Sequence, residues 1–190
     1  MSDHKQQEAA ALMPAIAGGD RRALGQLIAL HGRGLTLLAT RYLGREDEAD
    51  EVVQDVFLKA WRNAGRYDPG KAKVGTWLYR ITVNLSIDRQ RKRSFRRFVG
   101  LEDTAPELPD LQPSAVDQIA GVQNLAKVRE AITDLPNRQR MALLLSVVSE
   151  LENKEVAEAM GISTGAVEQL LVRARKTLRQ NTGLNKEDRP

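Results

Sequence analysis

The chain has 190 residues, of which 42% are hydrophobic and 28% charged, and its formal net charge is +4. This composition is typical of a globular protein with one domain or two small ones. Cysteine is absent and His4 and His31 are the only histidines, which excludes disulfides and thiolate metal sites, so we expect no cofactor. No run approaches the roughly 18 apolar residues that span a bilayer, and the N-terminus lacks a signal-peptide pattern. We therefore expect a cytoplasmic protein without direct membrane insertion.

Helical periodicity recurs along the first third of the chain, whereas strand patterns are nearly absent. After the break "AGGD", leucines at steps of three and four predict a first helical face. Residues 45–63 then predict an amphipathic helix with an acidic first turn and bases near its end, which suits the helix dipole. The apolar stripe of this second helix consists of Ala49, Val52, Val53, Val56, Phe57, Ala60 and Trp61.

A loop and a long basic helix follow. Residues 66–75 contain Pro69 and Gly70 and predict a loop, after which Thr76 is expected to cap a helix beginning at Trp77. This helix enters a run of bases with no acid after Asp88, namely Arg89, Arg91, Lys92, Arg93, Arg96 and Arg97. A solvated face is the usual explanation for such a run, but its density favours phosphate contacts. A membrane-surface helix would need a continuous apolar face, which the run lacks.

The charge reverses sign in residues 99–118, which contain five acids, three prolines and no base. Proline keeps such a segment out of helices, so it predicts a linker. We therefore predict an all-α fold of two small helical domains joined by a flexible acidic linker. The predicted divisions are a first domain over 1–97, a linker over 98–121, a second domain over 122–182 and a tail over 183–190.

The second domain contains the spacing of a helix-turn-helix. Ala157 is small enough for two helices to cross closely, and Gly161 suits the left-handed turn between them. Thr164 or Ser163 is expected to cap the second helix of the pair. An ordinary helical hairpin within a bundle could produce the same spacing, so the motif alone leaves DNA binding open.

Three blocks of the chain together resemble the bacterial sigma factors of the extracytoplasmic-function (ECF) group of the sigma-70 family. They are "DEADEVVQDVFLKAW", "TWLYRITVNLSIDRQRKR" and "LPNRQRMALLLSVVSELENKEVAEAMGISTGAVEQLLVRARKTL". The resemblance implies a non-catalytic subunit that directs core RNA polymerase to promoters, typically of a stress-response regulon. Its implied partners are the β′ clamp helices and β flap of the polymerase, promoter DNA, and an inhibitory anti-sigma factor, often membrane-anchored.

Roles in the first domain follow from this resemblance. Asn84 matches the residue that contacts an extruded −10 base, in a pocket formed by the loop over 66–75. Trp77 lies two helical turns earlier on the same face, although a helical tryptophan more often has a packing role. The bases Arg89, Arg91, Lys92 and Arg93 are expected to follow the phosphates. Glu51, Gln54 and Asp55 match positions that engage the polymerase clamp. Val74 replaces a phenylalanine found in many relatives, which predicts a less aromatic melting surface.

In the second domain, the helix beginning at Thr164 is expected to enter the major groove at the −35 element. Its exposed residues would be Glu168, Gln169, Val172 and Arg173, with Arg175 and Lys176 nearer the DNA backbone. Gln169 suits adenine, and Arg173 suits guanine or phosphate. Glu168 replaces an expected base, so it reads a cytosine amine, pairs with neighbouring groups, or points away.

Two other classes of function compete with this interpretation. A stand-alone helix-turn-helix regulator would bind an operator as a dimer, but it would leave residues 45–63 and Asn84 without a role. A nucleic-acid enzyme would need clustered carboxylates or a nucleophile with a base, and no residue is placed to partner the acids of 46–55.

Overall fold

Helices make up most of the structure, a computed structural model that describes residues 3–100 and 122–182. The α-helices are α1 (Asp3–Ala17), α2 (Arg21–Leu43), α3 (Glu46–Asn63), α4 (Val74–Phe98), α5 (Val122–Thr133), α6 (Asn137–Val147), α7 (Asn153–Met160) and α8 (Thr164–Thr182). A short 3-10 helix over Ala64–Arg66 follows α3. No strand occurs among the described residues, which confirms the all-α prediction. Most of the predicted linker and the predicted tail lie outside the described residues.

Helices α1 to α4 form the N-terminal domain. Asp20 caps α2, because its carboxylate accepts hydrogen bonds from the backbone N–H groups of Arg22 at 2.8 Å and Ala23 at 3.3 Å. Gly44 ends the helix in the left-handed conformation, with φ of 74°. The core therefore receives one face of a helix with well-defined ends, along which the buried residues include Leu27, His31, Leu35 and Leu38.

Helix α3 confirms the amphipathic helix predicted over 45–63. Its acidic first turn and basic last turn lie where the sequence places them. Five residues of the predicted stripe are buried and two, Val53 and Trp61, are half-buried against the core. The buried five are Ala49, Val52, Val56, Phe57 and Ala60.

Helix α4 begins three residues before its predicted start. Its N-cap residue is Lys73, whose carbonyl accepts a 2.9 Å hydrogen bond from the backbone N–H of Trp77. Val74 is fully buried, so packing draws the first turn into the core. Thr76 consequently lies inside the helix, and the prediction that it caps a helix starting at Trp77 is wrong. Buried Val74 also contributes nothing to an exposed melting surface.

Helices α5 to α8 form the C-terminal domain, which contains the predicted helix-turn-helix. Gly161 ends α7 with φ of 65°, so the predicted left-handed turn is confirmed. The hydroxyl of Ser163 accepts a 3.2 Å hydrogen bond from the backbone N–H of Ala166, which makes Ser163 the cap of α8. A capping box between Glu152 and Glu155 fixes the start of α7.

The two domains pack against each other through what we call the interdomain contact, formed by Lys73 with Glu155, Tyr42 with Arg140, and Tyr79 with Ser149. Lys73 Nζ lies 3.2 Å from Glu155 Oε1. The guanidinium of Arg140 lies 4.8 Å from the ring centroid of Tyr42, within the range of a cation–π interaction. The buried residues of both domains form a single hydrophobic core.

Candidate nucleic-acid interface

One face of α4 carries the residues predicted to meet the −10 element. Asn84 is exposed and Trp77, seven residues earlier, is half-buried. The Trp77 ring packs against that of Tyr67, with centroids 5.4 Å apart and planes tilted by 49°. Both proposed roles of Trp77 therefore have a structural basis: it packs on one side and presents an aromatic surface on the other.

The loop before α4 is fixed by its own hydrogen bonds. The Tyr67 hydroxyl donates to the carbonyl of Ala72 at 2.9 Å, and the Asp68 carboxylate accepts from the backbone N–H of Gly70 at 2.9 Å. A folded loop of this kind holds the Tyr67 ring against Trp77 without help from a ligand. The predicted loop over 66–75 is shorter in the structure, because α4 already begins at Val74.

A cleft of about 630 Å³ lies between this loop and the helix-turn-helix. The N-terminal domain contributes an aromatic and cationic wall that includes Tyr67, Trp77 and Arg80. Thr76 also lines the cleft; it is only 1% exposed and its hydroxyl has no hydrogen-bond partner. Across the cleft lie Lys154, Glu158, Gly161, Ile162, Ser163 and Thr164. The start of the predicted recognition helix therefore faces the loop and helix predicted to form the −10 pocket.

Arg80 and Lys154 are cleft residues that the sequence analysis did not single out. Arg80 lies one helical turn before Asn84 and is exposed, so the i to i+4 spacing was a signal available for it. Lys154 offered no comparable signal, because its position in the cleft depends on how the two domains pack.

The basic run divides into exposed and structural residues. Arg93 is the structural one: its guanidinium donates to the Leu43 carbonyl at 3.0 Å and to Gln90 at 2.9 Å, and its side chain is 10% exposed. Arg91 pairs with Asp88 at 3.2 Å but remains largely exposed, as does Lys92. These contacts leave Arg91 and Lys92 better placed than Arg93 to reach a phosphate.

Arg89 connects two of the predicted surfaces. Its guanidinium forms an ion pair with Glu51, one of the three residues predicted to engage the polymerase clamp. Gln54 and Asp55 are exposed on the same outer side of α3, opposite its buried stripe. The structure thus brings a predicted polymerase contact and a predicted DNA contact into direct contact with each other.

The C-terminal helix α8 separates its faces as the sequence predicts. Val167, Leu171 and Ala174 are buried against the domain. The predicted −35 residues are all exposed, including Val172 with 64% of its surface accessible. These residues are Thr164, Glu168, Gln169, Val172, Arg173, Arg175 and Lys176. An exposed valine between polar residues fits a surface that meets thymine methyl groups.

The buried Tyr79 supports α4 by packing and is not part of the exposed surface. Burial raises the pKa of Tyr79, and the neighbouring Ser149 hydroxyl opposes that rise only in part. Tyr79 is therefore a neutral packing residue. Its hydroxyl oxygen would lie 2.8 Å from a Cβ at Gly34, so any larger residue at that position of α2 would force the Tyr79 ring to shift. Among the described residues, no group of three or more metal-ligating side chains comes together.

No helix within the described ranges is both long and apolar enough to cross a membrane.

Comparison with known proteins adds independent information. Residues 27–96 match the family described as Sigma-70 region 2, and residues 125–178 match Sigma-70, region 4. The ECF RNA polymerase sigma factor SigM of Mycobacterium tuberculosis is 34% identical over 183 residues, covering 93% of this chain and 88% of SigM. The RNA polymerase sigma factor CnrH of Cupriavidus metallidurans is 33% identical, covering 88% of this chain and 90% of CnrH.

Solved structures agree with the sequence matches. The structure of CnrH in complex with the cytosolic domain of CnrY is similar with a TM-score of 0.66 and 28% identity, covering 91% of this chain and 96% of the other. The sigma factor RpoE of Bartonella quintana, in complex with the anti-sigma factor NepR, has the same fold with a TM-score of 0.66. That similarity covers 85% of this chain and 98% of RpoE at 24% identity.

Proposed function

Because the chain belongs to the ECF group of sigma-70 RNA polymerase sigma factors, we propose that its two domains read the −10 and −35 elements of stress-response promoters. The observation that carries this proposal is the division of exposed residues into two surfaces. One lies along α4 around Asn84, and the other lies along α8. The chain contributes recognition and strand opening, is not itself an enzyme, and works in the cytoplasm with core polymerase.

In the N-terminal domain, Asn84 reads an extruded −10 base. Its amide is exposed and offers both a donor and an acceptor to a base edge. Trp77 and Tyr67 form the aromatic wall of the pocket. Arg89, Arg91 and Lys92 hold the strand, whereas Arg93 acts mainly by fixing α4 to the end of α2.

Polymerase docking uses the outer face of α3. Glu51, Gln54 and Asp55 are exposed there and can contact the β′ clamp helices, while the C-terminal domain contacts the β flap. Docking on Glu51 would compete with its ion pair to Arg89 and thereby release that guanidinium for DNA. Binding to polymerase would in this way prepare the neighbouring DNA surface.

The −35 element is read by α8. Gln169 and Arg173 are the base-reading residues, and Arg175 and Lys176 contact phosphates. Glu168 is exposed on the same side, so it can read a cytosine amine. The start of this helix lines the same cleft as Tyr67 and Trp77, so under this proposal both elements can be bound together only after the domains separate.

An anti-sigma factor is the proposed inhibitor. CnrH and RpoE, which share this fold, were solved with the cytosolic domain of CnrY and with NepR respectively. An inhibitor that binds both domains of this chain would keep them from reaching promoter DNA together.

Run-off transcription tests the proposal. Core polymerase is supplied with the wild-type chain or with Asn84→Ala on a pool of host promoter fragments. We expect new start sites with the wild type, and weaker or relaxed selection at −10 with the variant. Start sites unaffected by the substitution would exclude the role of Asn84. DNA binding without any new start site would instead favour a stand-alone regulator.

A further inference from the structure

The cleft between the two domains carries positive charge that the protein itself leaves unpaired. Its lining includes Arg66, Arg80 and Lys154, whose side chains are all exposed. Among the described residues, none of these three cations has an ion-pair partner. Lys71 also lines the cleft, but it pairs with Asp68 at 3.5 Å. Three unpaired cations around one concave surface create a positive potential, which attracts small anions.

These cations come from both domains. Arg66 and Arg80 belong to the N-terminal domain, whereas Lys154 lies in the first turn of α7. Ser163 and Thr164, at the start of α8, line the same cleft. The first backbone N–H groups of a helix have no partner within it, and they carry the positive end of its dipole. The start of α8 therefore adds phosphate-binding groups to the cations, and an anion in the cleft would contact both domains.

The rest of the cleft lining is compatible with a small polar ligand. Thr76 lines the cleft and is 1% exposed, and its hydroxyl has no hydrogen-bond partner. Because most buried polar groups are satisfied, this wall has hydrogen-bonding capacity that the rest of the protein does not use. The volume of about 630 Å³ lies within the range of small-molecule sites, roughly 300–1,000 Å³. Glu158 is the acid of the cleft lining that has no ion pair among the described residues, so it alone opposes the three cations.

We propose that this cleft binds a small anion with a polyphosphate group, and that the bound anion holds the two domains together. Arg66 and Arg80 contact it from the N-terminal domain, and Lys154 and the start of α8 contact it from the C-terminal domain. Guanidinium groups suit phosphate oxygens because they donate two parallel hydrogen bonds. Inorganic pyrophosphate and nucleoside diphosphates share this chemistry, and the test below distinguishes them.

Such an anion would act as an inhibitor of DNA binding. A ligand that contacts both domains binds the closed arrangement better than the open one, and therefore shifts the population toward the closed arrangement. The start of α8 then stays inside the cleft. This consequence rests on the proposed function, since it takes α8 as the surface that reads the −35 element. The anion site itself does not depend on that assignment.

Calorimetric titration of the full chain tests the site, with inorganic pyrophosphate, ADP and adenosine as probes. We expect pyrophosphate and ADP to bind and adenosine to bind at least about tenfold more weakly, because it has no phosphate. Tighter binding of ADP than of pyrophosphate would support the site and identify its ligand as a nucleotide, whereas the reverse order would support it as a site for the inorganic anion. Adenosine binding as tightly as ADP, or no binding of either anion at millimolar concentration, would overturn the proposal.

Substitutions of opposite sign separate a specific site from general charge attraction. Arg80→Gln and Lys154→Gln should each weaken pyrophosphate binding about tenfold, because a charge-assisted hydrogen bond is lost. Glu158→Gln should strengthen it about twofold or more, because a like charge is removed. Lys59→Gln/Lys127→Gln is the matched control, since it removes one exposed lysine from each domain outside the cleft.

The variants also remain informative if one of them is destabilised. A damaged fold cannot strengthen binding, so tighter binding in Glu158→Gln supports the site whatever the stability of the other variants. Equal losses in the control and in the cleft variants, or weaker binding in Glu158→Gln, would overturn the proposal.

Closure of the domains is measured by energy transfer between labels at Lys59→Cys and Gln180→Cys. Lys73→Glu provides a suitable background, because it weakens the interdomain contact and populates the open arrangement. Pyrophosphate should restore the closed population in this background, and should fail to do so when Lys154→Gln is added. Pyrophosphate that binds without changing the distances would overturn the bridging of the two domains.

Binding of a −35 duplex, taken from a promoter found by the run-off assay, separates this proposal from the proposed function. Pyrophosphate should weaken duplex binding by the wild-type chain and leave that by Lys154→Gln nearly unchanged. Domains that close on pyrophosphate while duplex binding stays constant would support the anion site and would count against α8 as the −35 surface.

Discussion

Reversing the charge of Lys73 should open the closed arrangement of the two domains. Lys73 is half-exposed and lies 3.2 Å from the Glu155 carboxylate, whose side chain is 12% exposed. Because solvent screens the lysine, the ion pair contributes no more than about 1 kcal/mol. In Lys73→Glu that attraction is lost and a repulsion of similar size replaces it. The total change is about 1–2 kcal/mol, which raises the ratio of open to closed chains about 5- to 30-fold.

Distance measurements on labelled protein test this directly. The chain contains no cysteine, so Lys59→Cys and Gln180→Cys supply one exposed label in each domain without other reactive thiols. Single-molecule energy transfer should show a larger open population in Lys73→Glu. Affinity for a −35 duplex should rise with it, since the start of α8 is no longer inside the cleft.

Two controls decide whether the ion pair is the cause. Lys71→Glu makes the same charge change at an exposed neighbour that pairs with Asp68 at 3.5 Å and not with the C-terminal domain. Glu155→Gln keeps a side chain that can complete the capping box of α7, so adding it to Lys73→Glu should remove the repulsive half of the effect. Equal distances in Lys73→Glu and Lys71→Glu would refute the reasoning.

Three further predictions concern stability and DNA contacts. Burial, with Lys5 nearby, lowers the pKa of His31 to about 4. The unfolded chain therefore binds the extra proton first, and stability is full above pH 6.5 and falls toward pH 4. At pH 5 the free energy of unfolding should be lower by about 2 kcal/mol. Urea unfolding would measure this loss, which should be absent in His31→Gln. Gly34→Ala should destabilise by about 1–3 kcal/mol, because its Cβ would lie 2.8 Å from the Tyr79 hydroxyl; thermal unfolding should show recovery on adding Tyr79→Phe. Arg93→Gln should lower the melting temperature yet leave the salt slope of DNA binding nearly unchanged, and an equal slope change in Arg93→Gln and Lys92→Gln would contradict the structural role of Arg93.

Local patterns predicted the secondary structure well wherever one helix face decides the outcome. The apolar stripe from Ala49 to Trp61 determines which face of α3 is buried, because the apolar residues of this helix lie on that face. Gly161 likewise marks the end of α7, because the left-handed turn there disfavours other residues. The prediction for Thr76 failed because a local pattern did not decide the outcome. Threonine is a good N-cap residue, but burial of Val74 makes the helix begin two residues before Thr76.

Tertiary contacts were less accessible to the sequence analysis. Arg93 stands in a run of bases and resembles its neighbours, yet it lies over the end of α2, where the Leu43 carbonyl accepts a hydrogen bond from its guanidinium. A helix end fifty residues away is not visible in the local pattern. The interdomain contact shares this property, because Tyr42, Lys73 and Tyr79 each resemble ordinary residues of the N-terminal domain until α6 and α7 pack beside them.

The ion pair of Arg89 and Glu51 joins the proposed DNA contact to the proposed polymerase contact. Both side chains are more than one-third exposed, so the pair contributes less than about 1 kcal/mol and either partner can break it. Polymerase bound at Glu51 would leave Arg89 without its acid, and DNA bound at Arg89 would leave Glu51 available to polymerase. Each event lowers the cost of the other by the energy of the same ion pair, so the coupling must be reciprocal. This coupling energy is small, which suits a surface that has to release promoter DNA as well as bind it.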